Sequence, residues 1–421
     1  MPNSTLYEFG LPNPAIWFYG TFALALAIFF QFQRLFALRN FDIVGLFLFA
    51  PGFLIIEGAG RGPSIAFLGY SWLLAACGLW FVRCLIDVTA PKRPRVAVNL
   101  STLGLYWLGG ALLLALCVTA ATKSVDSEPV GKRTGQLNGV EEGVAEVVQL
   151  ARPAETKILV SRGIAIGCQI AVVTLLILIG TLVFREAAVG AGAAGLYLIL
   201  PSTCYRFDQS HHVWPTALLL GAFLGYRRPV AAGILFGIAV GTSFFPILLL
   251  PVWMQFYRGR GLGTFLAWYT GFLLISLACT VPALVFGGEF TSGIWQTLNL
   301  ADWLPWRVAK LESIWTGVYW AYRLPVFIVY IVMAAGSMFW PTVRDFGQLL
   351  AANAALLIGI QFWFGDRGGA YVLWFAPLVI LMILRPTTTE LQPPIHNRRV
   401  LFGWLRRRRT ANLGTAPSLA V

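Results

Sequence analysis

The chain has 421 residues, is 58% hydrophobic and only 12% charged, and has a mean hydropathy of +0.73. A single core cannot hide that much apolar surface, so the composition excludes an ordinary soluble domain. The net charge of +13 does not imply nucleic acid: the basic residues sit in short connections and in the tail "RRVLFGWLRRRRT", as expected of cytoplasmic segments beside anionic lipid.

Apolar runs of about 18–25 residues recur along the chain, long enough to span a hydrocarbon layer of about 30 Å. They are continuous, as in "IAIGCQIAVVTLLILIGTLVF", and do not alternate with period two. Backbone polar groups in lipid must be paired internally, so the pattern predicts an all-α, polytopic helical bundle and not a barrel. The six cysteines lie in or beside apolar runs without a CxxC pair and read as packing residues. No cleavable signal peptide is expected, because the first run lacks a basic lead and is long enough to stay in the membrane.

In chain order, the first run is Ala15–Leu38, the second Phe41–Ile56, and the third Ser64–Phe81, followed by "RCLIDVTAPKRPR". The fourth, Leu100–Ala121, precedes a polar stretch, Thr122–Arg162, in which Val140–Ala151 reads as an interfacial helix with Val140, Val144, Val147 and Val148 on its apolar face. Gly163–Phe184 and Ala187–Pro201 follow, then the polar "CYRFDQSHH", then Val213–Tyr226 ending in "YRRP". The next run, Val230–Tyr257, is flanked at both ends by arginine and interrupted by Pro246. It reads as two short helices turning back at "TSFFP", each stopping short of the full span. The remaining runs are Thr264–Phe286, Ala321–Trp340, Phe346–Phe364 and Ala370–Leu384, with a tryptophan-rich stretch after the first and "GDRGG" before the last. About thirteen crossings are expected, counting the hairpin as two.

Charge orients the bundle. With the amino terminus outside, every arginine-rich connection and the tail 386–421 fall in the cytosol. The outer loop 122–162, "YRFDQSHH", the hairpin turn, the tryptophans and "GDRGG" then share the extracytoplasmic face. The expected location is the cell (inner) membrane, as a multi-pass integral protein.

Ionisable groups at membrane depth point to function. Arg206, Asp208, His211 and His212 crowd one short segment, offering a phosphate-binding fork and imidazoles that titrate near neutrality. Asp366 and Arg367 sit between apolar helices, flanked by glycines. Glu141 and Glu142 open the interfacial helix, where a carboxylate can favour the helix dipole or serve as a base. Trp295, Trp303, Trp306, Trp315 and Trp320 read mainly as an aromatic belt at headgroup level. Adjacent histidines without a third ligand do not suggest a metal site.

The block "AAGILFGIAVGTSFFPILLLP", with Gly233, Gly237, Pro246 and Pro251, resembles a pattern of GT-C superfamily glycosyltransferases. The likeness is to the polyprenyl-phosphate-sugar-dependent enzymes of family 87, the DUF2029 group. "FWFGDRGGAYVLWFAPLVIL" is similar to that family's final segment, and the loop 122–162 to its first outer loop. The resemblance implies a GT-C-like membrane domain over 100–385, with 1–99 as an added three-helix module. It further implies transfer of a sugar from a polyprenyl-phosphate carrier, with no cofactor beyond that lipid-linked donor; divalent-metal use and oligomeric state are left open. The family's lysine before the hairpin proline corresponds to about Ser243. Its outer-loop aspartate has Glu141, Glu142 and Asp126 as stand-ins, with Asp208 as a further candidate base. Arg206, His211, His212, Ser243, Asp366 and Arg367 are the candidates for holding the donor phosphate. A transporter or flippase, or a non-catalytic protein keeping the scaffold, are the alternatives.

Overall fold

A computed structural model describes residues 14–57, 63–89, 98–122, 153–285, 303–306, 313–340, 342–343 and 345–386. Among them every regular element is helical. Six helices are long and apolar enough to cross a membrane, and five shorter apolar helices accompany them. The chain is therefore a helical, multi-pass membrane protein.

The first run forms α1 (Pro14–Phe29) and stops earlier than expected, giving way to turns before α2 (Leu38–Phe47). The second run is broken at Leu48 between α2 and α3 (Phe49–Glu57). Pro51 has no N–H for the carbonyl one turn back, which ends the hydrogen-bond ladder there. The carbonyls near the break are taken by α4 (Pro63–Thr89): Trp72 donates to Leu48 at 2.7 Å and Trp80 to Gly45 at 3.1 Å. Helix α4 also continues through "RCLIDVT", which the sequence suggested was a connection. That segment stays helical because its charged residues are neutralised inside the bundle, as described below.

Next come α5 (Thr102–Thr122), α6 (Pro153–Leu178) closing in a π-turn at Ile179–Val183, α7 (Ala187–Ile199) and the short α8 (Pro201–Tyr205). Helix α9 (Ser210–Leu224) begins inside the polar "CYRFDQSHH" segment. Its Pro215 denies the His211 carbonyl its helical donor and loosens the first turn.

The run with Pro246 breaks where the sequence placed its turn. Helix α10 (Pro229–Thr242) ends at Ser243, which is extended (φ −150°, ψ 128°). A 3₁₀ turn, Phe245–Leu249, leads into α11 (Leu250–Phe256). Both arms are short, α10 being about 21 Å long at about 1.5 Å per residue. Helix α10 lies against α12 (Leu262–Val285) through Gly233, Gly237 and Gly241. A Cβ at Gly237 would meet the Tyr269 carbonyl oxygen at 2.5 Å, so only glycine permits this approach. Helices α13 (Arg323–Gly336), α14 (Phe346–Trp363) and α15 (Ala376–Leu384) complete the described fold. Helix α14 starts on a capping box between Asp345 and Gln348.

Helices α4, α14 and α15 fix the ends of the bundle. At one end of α4, Leu73 packs on Gly369 and Phe53 of α3 stacks on Tyr205 at 5.6 Å. At the other end, Arg83 forms a two-pronged pair with Asp42 (2.7 and 3.0 Å) and reaches Asp87 at 3.3 Å, while Arg385 pairs with Asp87 at 2.9 Å. Tyr70 and Asp87 lie about 25 Å apart along α4 at the helical rise, so the two polar ends are separated by most of a hydrocarbon core. Between them α4 presents buried Leu73, Ala76, Cys77 and Trp80.

Candidate functional site

The segment from α8 to α9 forms one wall of the candidate site. Pro201 starts α8 at its first helical position, where its missing N–H is not needed. Arg206 then leaves helical geometry (φ −122°, ψ 18°) and donates to Gln209 at 2.9 Å. Beneath this turn Gln169 of α6 reaches the Phe207 carbonyl at 3.4 Å and accepts from Tyr197 at 2.7 Å. These bonds tie a polar loop to two apolar helices, α6 and α7. Asp208 and His212 are buried, whereas Arg206 and His211 are half-buried.

The opposite wall is the turn between α14 and α15. Arg367 has φ +45° and Gly369 φ +91°. Gln361 holds the turn by accepting from the backbone N–H groups of Gly369 (3.0 Å) and Tyr371 (3.4 Å). Tyr371 donates to the Asp366 carboxylate at 3.0 Å. The two walls meet at His212, whose ring lies 4.3 Å from His211 and 5.0 Å from Tyr371. Thr216 adds a second tie, donating to the Leu373 carbonyl at 3.1 Å.

Two guanidiniums, two carboxylates and two imidazoles share the site. Burial lowers the Arg206 guanidinium below its ordinary value, and the Arg367 charge adds to this; Tyr70, Tyr371 and Asp208 act in the other direction. Burial, with His211, Arg206 and Arg367 contributing, holds His212 well below the usual imidazole value, so its neutral form is favoured. Burial and the Asp366 carboxylate push the Tyr371 phenol well above its ordinary value.

An aromatic layer lies beside this turn. The Trp374 ring is sandwiched between Tyr371 (4.3 Å) and Phe245 (3.9 Å), and Trp303 packs on Phe364 at 4.5 Å and on Trp363 at 5.6 Å. Phe245 belongs to the turn of the short hairpin, so α10 and α11 end against this layer. Trp303 is thus an interior residue and not part of a headgroup belt, whereas Trp306 is exposed. Trp315 is tied inward, donating to the Phe362 carbonyl at 3.1 Å.

The structure therefore brings together Arg206, Asp208, His211, His212, Asp366 and Arg367. Ser243 is buried at the hairpin break, next to the aromatic layer. Glu141, Glu142, Asp126 and Trp295 lie outside the described residues. Sequence reasoning missed Tyr70, Gln361 and Tyr371 as members of the site. Only Tyr371 had a usable signal, standing in the same short segment as Asp366 and Arg367. No family model, curated protein or solved structure matches this chain.

Proposed function

We propose that this protein is an integral membrane glycosyltransferase that moves a sugar from a polyprenyl-phosphate carrier to an acceptor on the extracytoplasmic face. One observation carries the reading: two arginines and two histidines converge at one end of the bundle, beside a hairpin of shortened helices. The two guanidiniums, held within reach of each other, favour an anion between them. A lipid phosphate would supply that anion, with its isoprenoid chain lying alongside the short hairpin. The expected architecture, GT-C-like with about thirteen crossings and the amino terminus outside, is part of the same proposal.

In the reaction, the bond from the anomeric carbon to the phosphate oxygen breaks, and the phosphate leaves with the electron pair. Arg206 and Arg367 stabilise that developing charge, with His211 as a further donor. The acceptor oxygen forms the new bond to the anomeric carbon and gives its proton to a carboxylate. Asp208 is the candidate base among the described residues, and Glu141, Glu142 and Asp126 are candidates on the outer loop. Tyr371 engages Asp366, which suits Asp366 to positioning the Arg367 turn.

The buried apolar stretch of α4 between the two polar ends favours this reading over transport, which needs a polar path toward both faces. The test is to incubate purified protein with a panel of polyprenyl-phosphate sugars and measure carrier release. Release should fall by at least about 100-fold in Arg206→Ala and Arg367→Ala, the scale of losing a charge-stabilising donor. Glu141→Gln, Glu142→Gln and Asp208→Asn then identify the base. Absence of release with every donor, or full activity in both arginine variants, rejects the proposal.

A further inference from the structure

Among the described residues, eight indole N–H groups fall into two sets. Those of Trp72, Trp80, Trp214, Trp253 and Trp315 each donate to a protein acceptor at 2.7–3.1 Å. Those of Trp303, Trp363 and Trp374 are buried and have no partner. The Nε2 amide of Gln361 and the Oγ of Ser243 are in the same condition, with relative exposures of 0% and 1%. All five belong to one region. Trp303 packs on both Trp363 and Trp374, Gln361 bonds the backbone of the turn leading to Trp374, and Ser243 adjoins Phe244, which packs on Trp303 at 5.5 Å.

A buried donor without an acceptor costs about 1–3 kcal/mol, and native proteins leave few of them. Five such groups in one layer, when five other indoles are satisfied, mark a place where an outside acceptor binds. Four of the five are pure donors and all are uncharged, so they suit a neutral group rich in oxygen. Both faces of Trp374 are covered by Tyr371 and Phe245, which leaves its N–H edge for hydrogen bonding and excludes stacking on that ring. The layer adjoins the cationic turn through Tyr371.

We propose that Trp303, Trp363 and Trp374, with Gln361 and Ser243, form a subsite for the sugar ring of the lipid-linked donor, whose hydroxyl oxygens accept from these groups while its phosphate lies at Arg206 and Arg367. This rests on the transferase reading and specifies where the uncharged half of that donor binds. Ser243 then contacts sugar, where a lysine would contact phosphate.

Binding of polyprenyl phosphate and of polyprenyl-phosphate hexose to the full-length protein in nanodiscs tests the assignment. Trp303→Phe and Trp374→Phe keep an aromatic ring and remove one donor each, and unchanged melting temperatures verify their folding. If either variant melts early, Ser243→Ala is measured in its place. The expected result is a loss of about tenfold in affinity for the sugar-bearing lipid, the effect of one hydrogen bond, with affinity for the bare carrier unchanged. Equal losses for both lipids, or none for either, overturn the sugar subsite and leave the phosphate site standing. A wild-type protein that binds neither lipid rejects the transferase reading and the subsite with it.

Discussion

Arg367 holds a left-handed backbone conformation, φ +45°, that costs a non-glycine residue about 1 kcal/mol or more. Glycines follow it on both next positions, so glycine would be the easy choice here too, and its absence indicates a need for the guanidinium. Arg367→Gly separates the two demands. The melting temperature should hold or rise slightly, while affinity for a polyprenyl phosphate falls by at least tenfold, about 1.4 kcal/mol. His212 gives a second residue-scale prediction. Its folded-state value is depressed well below that of an ordinary imidazole by burial and by the neighbouring His211, Arg206 and Arg367. Below about pH 6.5 the unfolded chain therefore binds a proton that the fold resists. The His212 contribution is complete above about pH 6.5 and is lost as pH falls toward the depressed folded value. Thermal melts across that range should show the loss, and His212→Gln should flatten it. Arg206, Asp208, His211, His212, Asp366 and Arg367 were visible in the sequence because polar groups stand out in an apolar chain. Gln361 and Tyr70 were not, since each is one polar residue on a helix face whose importance comes from what packs against it.

At the scale of elements, the hairpin was legible because Pro246 falls inside a run flanked on both sides by arginine. Its return arm was less so: a 3₁₀ turn and a seven-residue helix stand where a second short helix was expected. The close approach of α10 to α12 depends on Gly233 and Gly237, whose absent side chains admit the α12 backbone. Gly237→Val should destabilise the protein by about 1–3 kcal/mol through overpacking, read as a lower melting temperature in detergent. Gly271 on α12 has open space at its Cβ position, and Gly271→Val should change the melt little. The break between α2 and α3 was missed because hydropathy does not register Pro51 inside an apolar run. The extension of α4 was missed because "RCLID" has the composition of a solvated loop, and its neutralising partners come from distant helices.

Among the described residues, each end of α4 faces a cluster of charged side chains, used differently at the two ends. One end gathers two arginines, two aspartates and two histidines around a turn. The other balances Asp42, Arg83, Asp87 and Arg385 against one another, with side chains 2–11% exposed. Removing one member leaves a buried charge without its partner, which costs about 3–5 kcal/mol. Arg83→Met should show that loss, and Arg83→Met with Asp42→Leu should recover part of it, as a double-mutant cycle of melting free energies would measure.

That balanced set is also a constraint on biogenesis. Asp42, Arg83 and Asp87 are synthesised early, while Arg385, which pairs with Asp87 at 2.9 Å, arrives only after α15. The early helices can enter the bilayer, but the Asp87–Arg385 pairing forms last and joins distant parts of the chain. A ribosome-stalled nascent chain lacking Arg385 should accordingly remain accessible to protease and membrane quality control until the closing segment emerges.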